Sequence, residues 1–275
     1  RGDYYYLLIA EGGTERGHMA TMARSRSHWG RFDPHPRNPV LSHRSLPVRV
    51  QSVGHADLIQ GQDGRWWAVC LGTRPVRDWH HLGRETFLVP VEWDEEGWPT
   101  FGDSGVVPEV PAEAVAPQAT FATEDTFATP VLGPHWNTLR GPLGPRLAVG
   151  GGLRLHGSDA DLNDLSVSFV GRRLQHLDAT VATRLEVTGT GEAGLAVRMD
   201  EHHWFALGSV DHGSERRIVW RQRIGDVEST SIVDIPGDVV RMRLRFTPHD
   251  CVSSVVVDDV EHRVGTAALR YVSTE

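Results

Sequence analysis

The chain has 275 residues and 30.5 kDa, with 39% hydrophobic and 23% charged residues. That is ample for one large core or two ordinary ones, and far from disordered or collagen-like composition. Acidic residues number 36 against 28 basic ones, a formal charge of −8, and every base is arginine; this speaks against a general nucleic-acid binder, and with no lysine Schiff-base chemistry and a phosphate loop are excluded.

In chain order, Arg1-Gly2-Asp3 reads as a hairpin turn feeding a strand, Tyr4-Tyr5-Tyr6-Leu7-Leu8-Ile9, with no partner strand before it. The last stretch, Leu269-Arg270-Tyr271-Val272, likewise shows no closing element, so both ends read as cut. Residues 1 to about 105 are dense in short strand signals. Asp63-Gly64-Arg65 is a hairpin turn before Trp66-Trp67-Ala68-Val69-Cys70-Leu71, a run apolar on both faces, and Glu92-Trp93 and Gly97-Trp98 bracket another acidic turn. Doubly apolar strands joined by short turns, without helical spacing, predict stacked blades of a propeller.

Residues 106–132 shift to Pro, Ala, Val and Thr and read as an extended linker. Net charge is −1 over residues 1–105 (12 arginines, 13 acids) and −7 over 106–275 (16 arginines, 23 acids), in keeping with two units. From 133 to 275 alternation is clean. Leu177, Ala179, Val181, Thr183, Leu185 and Val187 share one face, and Val240, Met242, Leu244 and Phe246 oppose Arg241, Arg243 and Arg245. Further strands are predicted over 194–199, 203–210, 217–222 and 252–257. Period-two strands with one wet face predict antiparallel sheets in a jelly-roll sandwich.

Chemistry-bearing residues concentrate in the first unit. Trp29, Trp66, Trp67, Trp79, Trp93 and Trp98 offer flat apolar surface for a sugar, although a tryptophan in a doubly covered strand is more often core. His55 and Asp57 share one side of a predicted strand, either as a structural pair or as part of a polar site; His18, after Gly17, is equally ambiguous. Arg84 is read inside an apolar strand, where it must either pair with a carboxylate or face a polar pocket. Glu11 ends a strand beside a glycine turn. His80 and His81 diverge too much for a metal pair, and there is no zinc cysteine pair, His-Glu-x-x-His, nucleophile elbow or dinucleotide fingerprint.

Taken together, Tyr4-Tyr5-Tyr6-Leu7-Leu8-Ile9-Ala10-Glu11-Gly12-Gly13-Thr14, Gly17-His18, Ala23-Arg24-Ser25, Asn38-Pro39-Val40-Leu41, Gly54-His55-Ala56-Asp57-Leu58 and Leu82-Gly83-Arg84-Glu85-Thr86-Phe87 resemble glycoside hydrolase family 43, in its β-xylosidase and α-L-arabinofuranosidase branch. Trp136-Asn137-Thr138-Leu139-Arg140, Leu153-Arg154-Leu155, Arg172-Arg173-Leu174-Gln175-His176 and Tyr271-Val272-Ser273-Thr274-Glu275 extend the resemblance through the second unit. The resemblance implies an all-β chain: about the last two blades of a five-bladed propeller over 1–105, then a concanavalin-A-like jelly-roll sandwich over 133–275 that lacks its last strands.

It also implies an inverting, exo-acting glycosidase of xylo-oligosaccharides, with a base and an acid about 6.5–9.5 Å apart. All three family carboxylates are expected upstream of Arg1, leaving this stretch alone inactive and without catalytic residues. What carries over is a supporting shell: Arg84 as the arginine on sugar hydroxyls, His55 near the propeller axis, and Glu11 and His18 near the active face. No cofactor is expected, although in some relatives the axial histidine belongs to a water or calcium site. The expected partner is a small oligosaccharide, with no nucleic acid or membrane; open blade edges allow self-association, and a cytoplasmic location is expected over secretion. The alternatives are a lectin-like sugar-binding protein, on fold analogy alone, and a truncated non-catalytic gene product.

Overall fold

The computed structural model describes residues 1–109, 123–213, 215–234 and 241–274. Most of the proline-rich stretch and Val240 lie outside them. The chain divides into two compact units, Arg1–Thr120 and Phe121–Glu275.

The first unit is two four-stranded antiparallel sheets. In one, β1 (Tyr5–Glu11) pairs with β2 (Met19–Ser25), which also pairs with β3 (Asp33–Pro34) and β4 (Leu41–Ser42). The other is a simple meander of β5 (Gln51–Gln60), β6 (Trp66–Thr73), β7 (Glu85–Trp93) and β8 (Pro99–Phe101). The predicted turns are present. Gly64 and Gly97 stand in the left-handed region, at φ 81° and 78°, where the hairpins of β5–β6 and β7–β8 reverse. Period two then decides what is buried. Ala68 and Cys70 of β6 and Val89 and Val91 of β7 face inward, where they meet Ala20, Met22 and Leu41 from the other sheet. Two such sheets packed by their inner faces are what the resemblance implies for two neighbouring blades.

The outer faces of this unit are apolar too, as the sequence indicates, but they are open. Tyr5, Leu7 and Ile9 on β1, and Ile59, Val69 and Leu88 on the second sheet, are all exposed.

The second unit is a sandwich. After short pairs of β9 (Asn137–Thr138) with β12 (Val170–Gly171) and β10 (Leu147–Val149) with β11 (Leu153–Leu155), two four-stranded sheets face each other. One has the order β13 (Ala179–Arg184), β18 (Arg241–Phe246), β19 (Asp250–Val257), β20 (Val260–Ala268). The other runs β14 (Glu192–Arg198), β15 (His203–His212), β16 (Glu215–Ile224), β17 (Val227–Val233). Phe205, Leu207, Ile218 and Trp220 from one sheet meet Met242, Leu244, Cys251 and Val255 from the other. The last described stretch forms a 3-10 turn, Leu269–Val272, whose Leu269 and Val272 are buried in this core.

Candidate functional site

The site is built where four chain segments meet at one end of the two blades. β1 ends at Glu11 and turns through Gly12 and Gly13, at φ 76° and 72°. A side chain on Gly12 would overlap the Gly17 carbonyl, so both glycines are needed for the chain to fold back so tightly. This turn delivers His18 to the start of β2, where its ring is only 2% exposed. The ring packs against Gly54 of β5: a Cβ there would come 2.5 Å from His18 Nε2, closer still to Cδ2, and 2.8 Å from Cγ. Gly54 is thus a glycine because His18 occupies the space of its side chain.

Beside that contact β5 is irregular. Its register with β6 shifts between Gln51 and Gly54 and again between Gly54 and Asp57, and Ser52 and His55 adopt φ of 54° and 50°. Bulges of this kind re-aim side chains next to sites; here His55 and Asp57 both stay exposed.

Arg84 is not strand-interior, contrary to the sequence reading. It is exposed and immediately precedes β7, after Gly83 at φ 69°. The half-buried ion pair in this region belongs to its neighbour: Glu85 accepts two hydrogen bonds from Arg74, at 2.8 and 2.7 Å. Exposure removes the desolvation problem that made a paired Arg84 necessary.

Electrostatics ties these residues together. Burial lowers the pKa of His18, with smaller lowering contributions from the positive fields of His55 and Arg84, while the backbone carbonyls of Gly13 and Glu11 oppose the shift. Neither ring nitrogen completes a hydrogen bond of ordinary geometry, although both are buried. The backbone carbonyl of Glu11 and the charges of His55 and Arg84, spread over more than seventy positions of sequence, thus act on the one buried imidazole of His18.

The tryptophans do not join them as a group. Trp66, Trp93, Tyr6, Trp98 and His35 form an edge-to-face ladder, with successive centroids 5.5, 5.0, 6.4 and 4.8 Å apart. Register puts the ladder at the opposite end of the strands: Tyr6 and Trp66 begin β1 and β6, whereas Glu11 and Thr73 end them. Trp29, 88% exposed, also follows the far end of β2; Trp79, in the β6–β7 connection, is at the site's end. The five rings of the ladder are framework, as their position in the unit dictates.

One residue escaped the sequence reading altogether. His43, buried, bonds through Nδ1 to the Val50 carbonyl at 2.7 Å and accepts the Val107 N–H at Nε2, 2.8 Å away. The acceptor role fixes a neutral ring with the proton on Nδ1, and burial lowers its pKa. His43 thereby pins the segment entering β5 to the end of the unit. Nothing in its local sequence marks it.

Among the described residues no three His, Cys, Asp or Glu side chains converge to hold a metal ion. Calcium takes six to eight oxygen ligands, so the imidazoles of His18 and His55 do not themselves make such a cage.

Two family descriptions match this chain: glycosyl hydrolases family 43 over residues 1–99, and the beta xylosidase C-terminal concanavalin A-like domain over residues 124–275. The chain belongs to glycoside hydrolase family 43. A non-reducing end alpha-L-arabinofuranosidase of Bacteroides ovatus is 38% identical over 290 residues, covering all of this chain and 54% of that protein. A xylan 1,3-beta-xylosidase of a Vibrio species is 32% identical over 97% of this chain and 55% of its own length. Among solved structures, the family 43 protein of a Bacteroides ovatus xyloglucan locus superposes with TM-score 0.84 at 35% identity, over 99% of this chain and 57% of that one. A xylan beta-1,4-xylosidase of Bacillus halodurans gives 0.86 at 29% identity, over 99% and 56%. The chain thus spans about half the length of the curated relatives it matches. Within the family, its first unit is propeller blades and its second the concanavalin-A-like domain.

Proposed function

We propose that this chain supplies the supporting half of the active site of an exo-acting glycosidase that releases xylose or arabinofuranose from short xylan-derived chains by inversion. The observation that carries the reading is the convergence of Glu11, His18, His55 and Arg84 at one end of two blades. Arg84 is exposed there, its guanidinium suited to hold sugar hydroxyls. His18, buried and packed on Gly54 next to His55 in the chain, feels the charges of both His55 and Arg84.

The base and the acid are assigned to blades outside these 275 residues. Of the acids near the site, Glu85 is committed to Arg74 in a bidentate pair, which occupies both of its oxygens. Glu11 and Asp57 are exposed on the surface of the unit. The open outer faces of the first unit, with Leu7 and Ile9 on one side and Val69 and Leu88 on the other, support the same reading, since inner blades of a propeller are covered on both faces.

The test is Arg84→Ala in the chain extended upstream through the family's earlier blades. kcat/KM on an aryl xyloside or arabinofuranoside should fall at least about tenfold, since hydrogen bonds to a charged group are worth roughly 1.5–3 kcal/mol. Unchanged kinetics in a folded variant would remove Arg84 from the site.

A further inference from the structure

The outer face of the β13–β18–β19–β20 sheet carries a row of arginines that the glycosidase site does not use. Arg241, Arg243 and Arg245 alternate along β18 with the buried Met242, Leu244 and Phe246, so all three project to the outside, about 6.8 Å apart from one to the next. Arg184 of β13 stands directly opposite Arg241, and Arg263 of β20 opposite Ser254, which itself faces Arg243. Like charges placed directly across a strand pair are unfavourable. Here they occur in a chain whose net charge is −8.

Neutralisation is partial. Glu261 pairs with Arg243 at 2.9 Å and accepts the Ser254 hydroxyl at 2.5 Å, and the Ser254 bond, then Arg243, keep its carboxyl below the usual range. Asp178 and Glu186 flank β13 at its two ends, outside the paired register. The side chains of Arg184, Arg241 and Arg245 are exposed and make no ion pair or hydrogen bond among the described residues, although Arg245 adds to the positive field at Glu261. No large apolar side chain lies exposed between them: their cross-strand neighbours on this face are Thr180, Ala182, Val252, Ser254 and Val256.

We propose that this face is a docking strip for a linear polysaccharide bearing uronate carboxylates, held apart from the neutral sugar that is hydrolysed. A row of guanidiniums is complementary in charge to carboxylates carried along an extended chain, each taken in the planar two-pronged manner that arginine favours. No aromatic ring stands among the cross-strand neighbours on this face for a neutral glycan to stack on. The choice of a polysaccharide rests on the glycosidase reading; the positive strip does not. Because binding is read without turnover, a failure here leaves hydrolysis untouched, and loss of the hydrolase reading would leave the strip to be explained by another polyanion.

The experiment is native affinity electrophoresis of the 275-residue chain through gels containing glucuronoxylan or the same polymer with its carboxyls reduced. Retardation should appear with the acidic polymer and be lost with the reduced one. It should also weaken at least about tenfold between low and physiological salt, as the screening length drops from about 30 to about 8 Å, and by a similar factor in the Arg184→Ser/Arg241→Ser/Arg245→Ser variant. The comparison of the two polymers uses the unmodified chain and stands whether or not the variant folds. Equal retardation by both polymers overturns the proposal. So does tighter binding of duplex DNA or of anionic phospholipid vesicles than of glucuronoxylan, which would make the strip a nucleic-acid or membrane contact.

Discussion

The two units bury their cores by the same rule and finish their surfaces by opposite ones. In the sandwich, alternation along β18 gives one apolar face and one charged face: Met242, Leu244 and Phe246 go in, Arg241, Arg243 and Arg245 go out. In the blades, alternation gives two apolar faces; Val89 and Val91 are buried between the sheets while Leu88 is 42% exposed on the far side. A sheet with one apolar face closes on a single partner. A sheet with two needs a neighbour on each side, and that is the difference between a sandwich and a blade.

That contrast can be broken by mutation. Leu207→Ala, in the closed sandwich core, should destabilise the second unit by about 2–5 kcal/mol, whereas Leu88→Ala on the open face of the first unit should cost under about 0.5 kcal/mol. Urea unfolding followed by a probe in each unit checks both values. A comparable loss at Leu88 would mean that its face is already covered.

Gly54→Ala comes next. The added methyl would strike a buried imidazole that has no room to retreat, so about 1–3 kcal/mol should be lost from the first unit alone. Combining it with His18→Ala, which vacates the space, should restore part of that loss. A double variant no more stable than Gly54→Ala would place the strain elsewhere.

Acid should then separate the units by window. Burial lowers the pKa values of His18, His35 and His43 in the folded first unit. Their neutral forms favour folding fully above the unfolded value of about 6.5, and that contribution is lost as pH falls below it, because the unfolded chain then takes up protons that the folded one refuses. In the second unit Glu201, bonded to Arg198, has its pKa lowered to about 2. Its contribution persists above the unfolded carboxylate range and is lost only as pH falls from there toward 2. Acid titration should therefore loosen the first unit before the second, and hydrogen exchange resolved by segment reads the order.

Much of this was legible before any coordinates. The arginine alternation at 241–245, the turns at Gly64 and Gly97 and the doubly apolar run at 66–71 each follow from a local period or a turn residue, and the family motifs joined Glu11, His18, His55 and Arg84. What the sequence hid is long-range or conformational. Left-handed Ser52 and His55 carry no glycine to announce the bulges of β5. The His18–Gly54 contact joins positions that show no pattern with each other. Arg84 reads as strand-interior only because nothing local says that β7 begins one residue later, and the pairing of Glu85 with Arg74 crosses from β7 to the end of β6.

The central claim is that this chain holds and orients a sugar while its proton-transfer groups stand on other blades. Release of p-nitrophenol from aryl xylosides and arabinofuranosides by the purified 275 residues, beside the upstream-extended chain at equal molarity, tests it most directly. The account predicts background rates for the 275 residues, since each positioned proton-transfer group is typically worth 10²–10⁴-fold and both are assigned elsewhere. Sustained turnover within about tenfold of the extended chain, one decade being about 1.4 kcal/mol of barrier, would contradict it and return Glu11, Asp57 and Glu85 to consideration as the acid and base.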